Sequence, residues 1–164
     1  MTPEMHPATA AAPTVAARQR WMRALASAGA DDLDAAWQAW EEKPEVQQIR
    51  GPEVGLVMVR GRIDAGGARF NLGEATITRA TVRLHGASLQ NDVLGSSYRL
   101  GTDLEHARLA AIFDGLLVDG ASRDRVLAEV VTPLEQARAA RDEKGRAEAR
   151  STLVDFFTVA REHA

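Results

Sequence analysis

The chain has 164 residues, enough for one domain with its own hydrophobic core, and carries a net charge of -3 with an isoelectric point of about 5.8. It has no cysteine, which excludes disulfides, thiolate metal sites, iron-sulfur ligation and a cysteine nucleophile. The acidic balance offers no field for a nucleic-acid backbone, and no window approaches the roughly 20 apolar residues of a membrane span. Neither nucleic acid nor membrane is expected as a partner, and without a basic, apolar leader a cytoplasmic protein is expected.

Residues 1–14 hold three prolines and no apolar periodicity, and are expected to form a disordered tail before a single α+β domain at 15–164. From Val15 the pattern is helical, with Trp21, Met22 and Leu25 on one side and Gly29 expected as C-cap. A second helix is predicted from Asp31 or Asp32 to Lys43, stopped by Pro44, with Leu33, Ala36, Trp37 and Trp40 as its apolar stripe. That spacing suits Trp37 and Trp40 as core or interface anchors. From Val46 to Leu100 the texture changes to five β-rich runs, VQQIR, VGLVMVRGR, ARFNLGE, TITRATVRL and VLGSSYRL, with a hairpin loop at Asp64 to Gly67. Their short links require antiparallel pairing, so the centre is read as a meander.

The last third returns to helix. Thr102 and Glu105 form a capping-box pattern ahead of Leu104, Ala107, Ala111, Ile112 and Leu116, and a further helix is placed over Arg123 to Val131. Thr132, Pro133 and Glu135 repeat a start signal for a polar helix through Arg150, expected to face solvent or another protein. LVDFFTV, ending at Val159, suits a terminal strand, with a terminal helix as the alternative. In a strand, Phe156 and Phe157 point to opposite sides, and one of them then meets another subunit.

Arg60, Arg62, Arg69, Arg79 and Arg83 all fall in the β region, where Arg60 and Arg62 share a face and the hairpin sets Arg62 opposite Arg69. A solvated arginine face, an acidic partner surface and a bound phosphate each fit this cluster, so Arg60, Arg62, Arg69 and Arg79 are candidates for anion or partner binding. Asp103 and His106, three apart at a helix start, are the weak catalytic candidates; the ordinary reading makes Asp103 a first-turn acid and His106 a packed ring. Two such ligands make no metal site, and neither a phosphate-binding glycine loop nor a GxSxG elbow is present.

Four strings stand in an unusual order: RQRWM at Arg18 to Met22, RFNLGEATITR at Arg69 to Arg79, GSSYRLGTDLEHA at Gly95 to Ala107 and VDFFT at Val154 to Thr158. In order and spacing the chain resembles the G subunits of the bacterial carbon-phosphorus lyase core complex, over residues 18 to 161. It departs from that family in its Pro/Ala-rich leader and in Thr102, where a basic residue is expected. The resemblance implies an accessory subunit partnered by the H, I and J subunits and functionally linked to an L subunit. The implied reaction replaces the adenine of ATP by an alkylphosphonate at C1 of the ribose, giving an α-D-ribose 1-phosphonate 5-triphosphate. It implies that base displacement centres on the I subunit and the later radical cleavage on J. ATP is then a substrate of the complex, and no cofactor is expected on this chain.

Overall fold

A computed structural model describes residues 12–63 and 66–151. Helices α1 (Val15–Ser27) and α2 (Ala30–Ala39) precede three strands, β1 (Glu45–Gly61), β2 (Phe70–His85) and β3 (Val93–Leu100). Helix α3 (Leu104–Val118) follows, then α4 (Arg123–Val126), a π-helical turn at Leu127–Val131, and α5 (Thr132–Ser151). The expected antiparallel meander is present, in the order β1-β2-β3.

The five β-rich runs merge into three strands. VQQIR and VGLVMVRGR are one continuous β1, because the register shifts between Gln48 and Glu53 absorb the Gly51-Pro52 interruption as bulges. ARFNLGE and TITRATVRL likewise join as β2 through Gly73, whose φ of 151° sits at the register shift opposite Val59 and Arg60 and leaves Leu72 as the extra residue. Of the loop between them, Asp64 and Ala65 lie outside the described residues.

Helix α3 is the centre of the molecule. Its residues from Leu109 to Leu117 are buried all round, the pattern of a helix enclosed on every side. One side packs on the sheet face that carries Thr78, Ala80, Val82 and Leu84; α1, α2 and α4 cover the other. The closest approach is glycine on glycine. A Cβ on Gly95 of β3 would lie 1.9 Å from the Ala111 carbonyl and 2.6 Å from the Gly115 amide nitrogen, so only glycine lets strand and helix meet there.

Several boundaries differ from the sequence reading. Thr14, expected in the tail, is the N-cap of α1, and its hydroxyl accepts from Ala17 N at 3.2 Å. Residues 1–11 lie outside the described structure. Gly29 is not the C-cap of α1; Ala28 is, and Gly29 precedes α2, where its N–H donates to Asp32 at 3.0 Å. α2 ends at Ala39 rather than Lys43, because Trp40 turns into an extended conformation and gives its indole N–H to the Glu42 carbonyl at 3.2 Å.

The cap of α3 is Asp103 and not Thr102: its carboxylate accepts from His106 N at 2.9 Å, while Glu105 turns to Arg108. Leu104, expected in the core, is exposed as a result of its place in the first turn. Thr132 starts no separate helix. Pro133 cannot donate to the Glu129 carbonyl, and the π-turn before it absorbs the mismatch as Thr132 Oγ1 donates to Leu127 O at 2.8 Å, so helix continues from Arg123 to Ser151. The polar part of α5 is exposed as expected. The stretch containing Phe156 and Phe157, with its expected strand, lies outside the described residues.

Candidate functional site

Arg18 and Trp21 of the RQRWM string are tied to one buried carboxylate. Asp114, in the middle of α3, is fully enclosed and accepts four hydrogen bonds: Arg18 Nε at 3.2 Å, Arg18 Nη2 at 2.6 Å, Trp21 Nε1 at 2.9 Å and Ser96 N at 2.9 Å. A buried charge is tolerable only when paired and hydrogen-bonded, and here the donors come from α1 and β3. Asp114 therefore fastens the first helix and the edge strand to the central helix. Nothing in the sequence marks Asp114, because a lone acid within an apolar run looks the same whether exposed or buried.

Asp103 and His106 are neighbours, yet their side chains do not meet. The hydrogen bond Asp103 accepts from the His106 backbone, followed by its pairing with Arg99 at 3.0 Å, holds its carboxyl below the usual range. The imidazole turns into the core, where Nε2 donates to the Leu25 carbonyl at 2.8 Å. Because a carbonyl only accepts, the proton must be on Nε2; Nδ1 is enclosed without a partner among the described residues. Burial is the main reason the ring's pKa falls below its usual value. His106 packs under the C-terminal turn of α1, as a neutral ring. Among the described residues no group of three or more His, Asp or Glu side chains is placed to hold a metal.

The candidate arginines divide: Arg60, Arg62 and Arg69 stand at the hairpin end, as the expected placement of Arg62 opposite Arg69 requires, and Arg79 stands apart from them. Arg60 is on β1 near the hairpin end, and Arg62 and Arg69 lie one step beyond the last described pair, Gly61 with Phe70. Arg79 pairs across the sheet with Glu53, with Nε to Oε1 at 2.7 Å. The eight steps from Asn71 to Arg79 put it about 25 Å along the strand from Arg60. Arg83 lies further on, 3.5 Å from Gln47 Oε1.

Trp40, proposed as an interface anchor, is 3% exposed and packs edge-on against Phe113 at 6.5 Å. Trp37 is half-buried, also edge-on to Phe113 at 6.1 Å, with the Lys43 ammonium over its ring at 5.4 Å. A groove of about 250 Å³ between α1 and α5 is lined by Arg20, Arg23, Glu135, Arg138 and Asp142. Its charges largely answer one another: Arg20 Nε donates to Glu135 at 2.7 Å and Arg138 lies 3.7 Å from Asp142. His106 is enclosed in the core, whereas Arg69 is exposed and Arg79 half-exposed on the sheet.

The apolar surface lies elsewhere. β3 pairs with β2 only from Ile77 to Leu84, so beyond that point β1 and β2 form a two-stranded ribbon. On the ribbon Leu56, Met58, Val57, Val59, Phe70 and Leu72 are all exposed. The run VGLVMV carried the signal: apolar side chains at consecutive positions, without alternation, mean apolar surface on both faces of a strand.

These features define an α+β chain whose most distinctive polar residues hold its own fold together and whose exposed apolar surface is carried on a hairpin, the profile of an assembly component. Residues 16–162 match the family described as phosphonate metabolism protein PhnG, and the chain belongs to that family. It is 49% identical over 150 residues to the alpha-D-ribose 1-methylphosphonate 5-triphosphate synthase subunit PhnG of Rhizobium meliloti (strain 1021), with 90% of each chain covered. Among the described residues no helix is long and apolar enough to cross a membrane.

Proposed function

We propose that this chain is an accessory subunit of an α-D-ribose 1-methylphosphonate 5-triphosphate synthase in phosphonate catabolism, and that its part is binding rather than chemistry. The observation that carries this reading is that the fold itself occupies the polar residues singled out in two of the motifs. Arg18 and Trp21 are held by Asp114, Asp103 caps α3, and His106 is enclosed. Groups so committed are poor candidates for touching a substrate that must enter and leave. The kinship with a chain named as a synthase subunit supports the same conclusion.

In this reading the partners are the H, I and J subunits, with the L subunit acting alongside, in the cytoplasm. ATP and the alkylphosphonate are substrates of the assembly. A phosphonate oxygen takes the place of the adenine nitrogen at C1 of the ribose, and adenine leaves. This chain binds no cofactor. Direct catalysis, with arginines on a triphosphate and Asp103 or His106 moving protons, would need those side chains in one cleft.

The test is tagged purification of the full chain co-expressed with the H, I and J subunits, followed by an adenine-release assay with ATP, methylphosphonate and the L subunit. Co-purification is expected, with adenine released by the complete set and none by the chain alone. Adenine release by the isolated chain at a rate comparable with the complete set would overturn the reading.

A further inference from the structure

The ribbon beyond the helical layer is unusual in having apolar side chains on both faces. Leu56 and Met58 share the face that continues from Val54; Val57 and Val59 take the opposite one. Phe70 and Leu72 extend the second face. Leu72 lies across Gly61, where an added Cβ would come within 2.6 Å of its Cδ1, so glycine at that position lets the leucine fold over the ribbon. Exposures of 61% at Leu56, 52% at Met58 and 61% at Leu72 show that nothing in the described chain covers either face.

Two strands with both faces in water make a marginal structure alone. The six side chains present on the order of 600 Å² of surface, divided between the two faces and together close to one partner's share of a standard interface. At the hairpin end stand Arg60 and Arg69, both exposed and with no carboxylate in ion-pairing distance among the described residues; the one acid in the described part of the ribbon is Glu74. Among the described residues β2 is the only neighbour of β1, whose other edge is open. A second copy added along that edge would extend the sheet and leave both faces bare. The geometry calls for an occupant that encloses the ribbon.

We infer that residues 56–61 and 70–76 form a docking arm that inserts into an apolar cleft of a different protein chain, with carboxylates of that chain meeting Arg60 and Arg69 at the end of the arm. The inference rests on the proposed role as a subunit and goes further by naming the surface and the chemistry of the receiving site. One face alone would suit a flat contact; two faces require a cleft. The arm stands outside the layer packed on α3, so its apolar side chains can be changed with little effect on the core.

The experiment uses the full chain co-expressed with the H, I and J subunits, in wild-type form and with three pairs of substitutions. Leu56→Thr with Met58→Thr strips one face, Val57→Thr with Val59→Thr strips the other, and Arg60→Glu with Arg69→Glu reverses the tip. Threonine keeps the strand preference while removing apolar surface. Thermal unfolding of each isolated variant checks that the fold is intact; Leu56→Val with Met58→Val serves as a milder pair if the threonine pair unfolds.

Each face pair is expected to weaken assembly on the order of 100-fold, and the tip pair about 10-fold with a loss that shrinks at high salt. Folded variants that assemble as tightly as wild type would overturn the arm while leaving the subunit role standing. Sensitivity of one face only would overturn the cleft. Self-association that disappears in the arm variants while assembly with H, I and J persists would make a second copy the occupant and overturn the inference. A wild-type chain that joins none of the three would overturn both readings.

Discussion

Replacing Asp114 tests whether the RQRWM string serves the fold. Asp114→Ala removes the acceptor of the enclosed Trp21 Nε1–H, of the half-buried Ser96 N–H and of the Arg18 guanidinium. Each stranded buried donor costs about 1–3 kcal/mol. Arg18 contributes less, since its side chain is 40% exposed and can turn to water. The sum is about 3–5 kcal/mol, or a fall of roughly 10 °C in Tm for a chain of this length. Asp114→Asn keeps the volume and one oxygen but points an N–H₂ at the remaining donors, and should cost about 2–3 kcal/mol. Urea unfolding followed by tryptophan fluorescence reads both. In the Asp114→Asn background, Arg18→Ala should cost about 1–2 kcal/mol less than in wild type, because the guanidinium no longer answers a buried charge. A loss below about 1 kcal/mol for Asp114→Ala, or additivity of the pair within about 0.5 kcal/mol, would refute this account.

Gly95→Ala should be among the most damaging single-methyl changes in the chain: the new Cβ meets backbone atoms that cannot rotate away, so strand and helix must separate, at a cost of about 3 kcal/mol or more in urea unfolding. His106 is held neutral by burial, with its folded pKa below 6.5. The unfolded chain therefore binds a proton first, and stability that is full above about pH 6.5 is lost as pH falls toward the folded pKa, with a slope of at most about 1.4 kcal/mol per pH unit. His106→Gln, whose Nε2 can still donate to Leu25, should flatten that part of the stability profile; an unchanged slope would rule the ring out as its source. Arg79→Ala removes a half-exposed pair with Glu53 and should change stability by less than about 1 kcal/mol, so a large loss on unfolding alone would contradict the exposed geometry.

Much of the architecture was legible in the chain itself. Helices around Trp21 and Leu33, the antiparallel meander and the polar character of α5 follow from local periodicity and from links too short for a parallel crossover. The positions of caps and breaks were less legible, because competing local signals differ by small energies. Thr102 and Asp103 both suit an N-cap, and the contact with His106 N chose Asp103. Pro133 marks a helix start in one context and a π-turn in another, and the packing of Val130, Val131 and Leu134 into the core kept the helix continuous.

What each motif residue does was decided by tertiary structure alone. Arg18 and Trp21 lie 96 and 93 residues from Asp114, and no periodicity connects them. Asp103 and His106, three apart at a helix start, were separated by a ring turned inward, and Arg60 and Arg79 were set about 25 Å apart along the sheet. Local pattern determines which faces are apolar; only the placement of α3 against the first part of the sheet decides which apolar faces are covered and which remain on the arm. Hydrophobic burial depends on what lies opposite a side chain, and that is a property of the whole chain rather than of any segment.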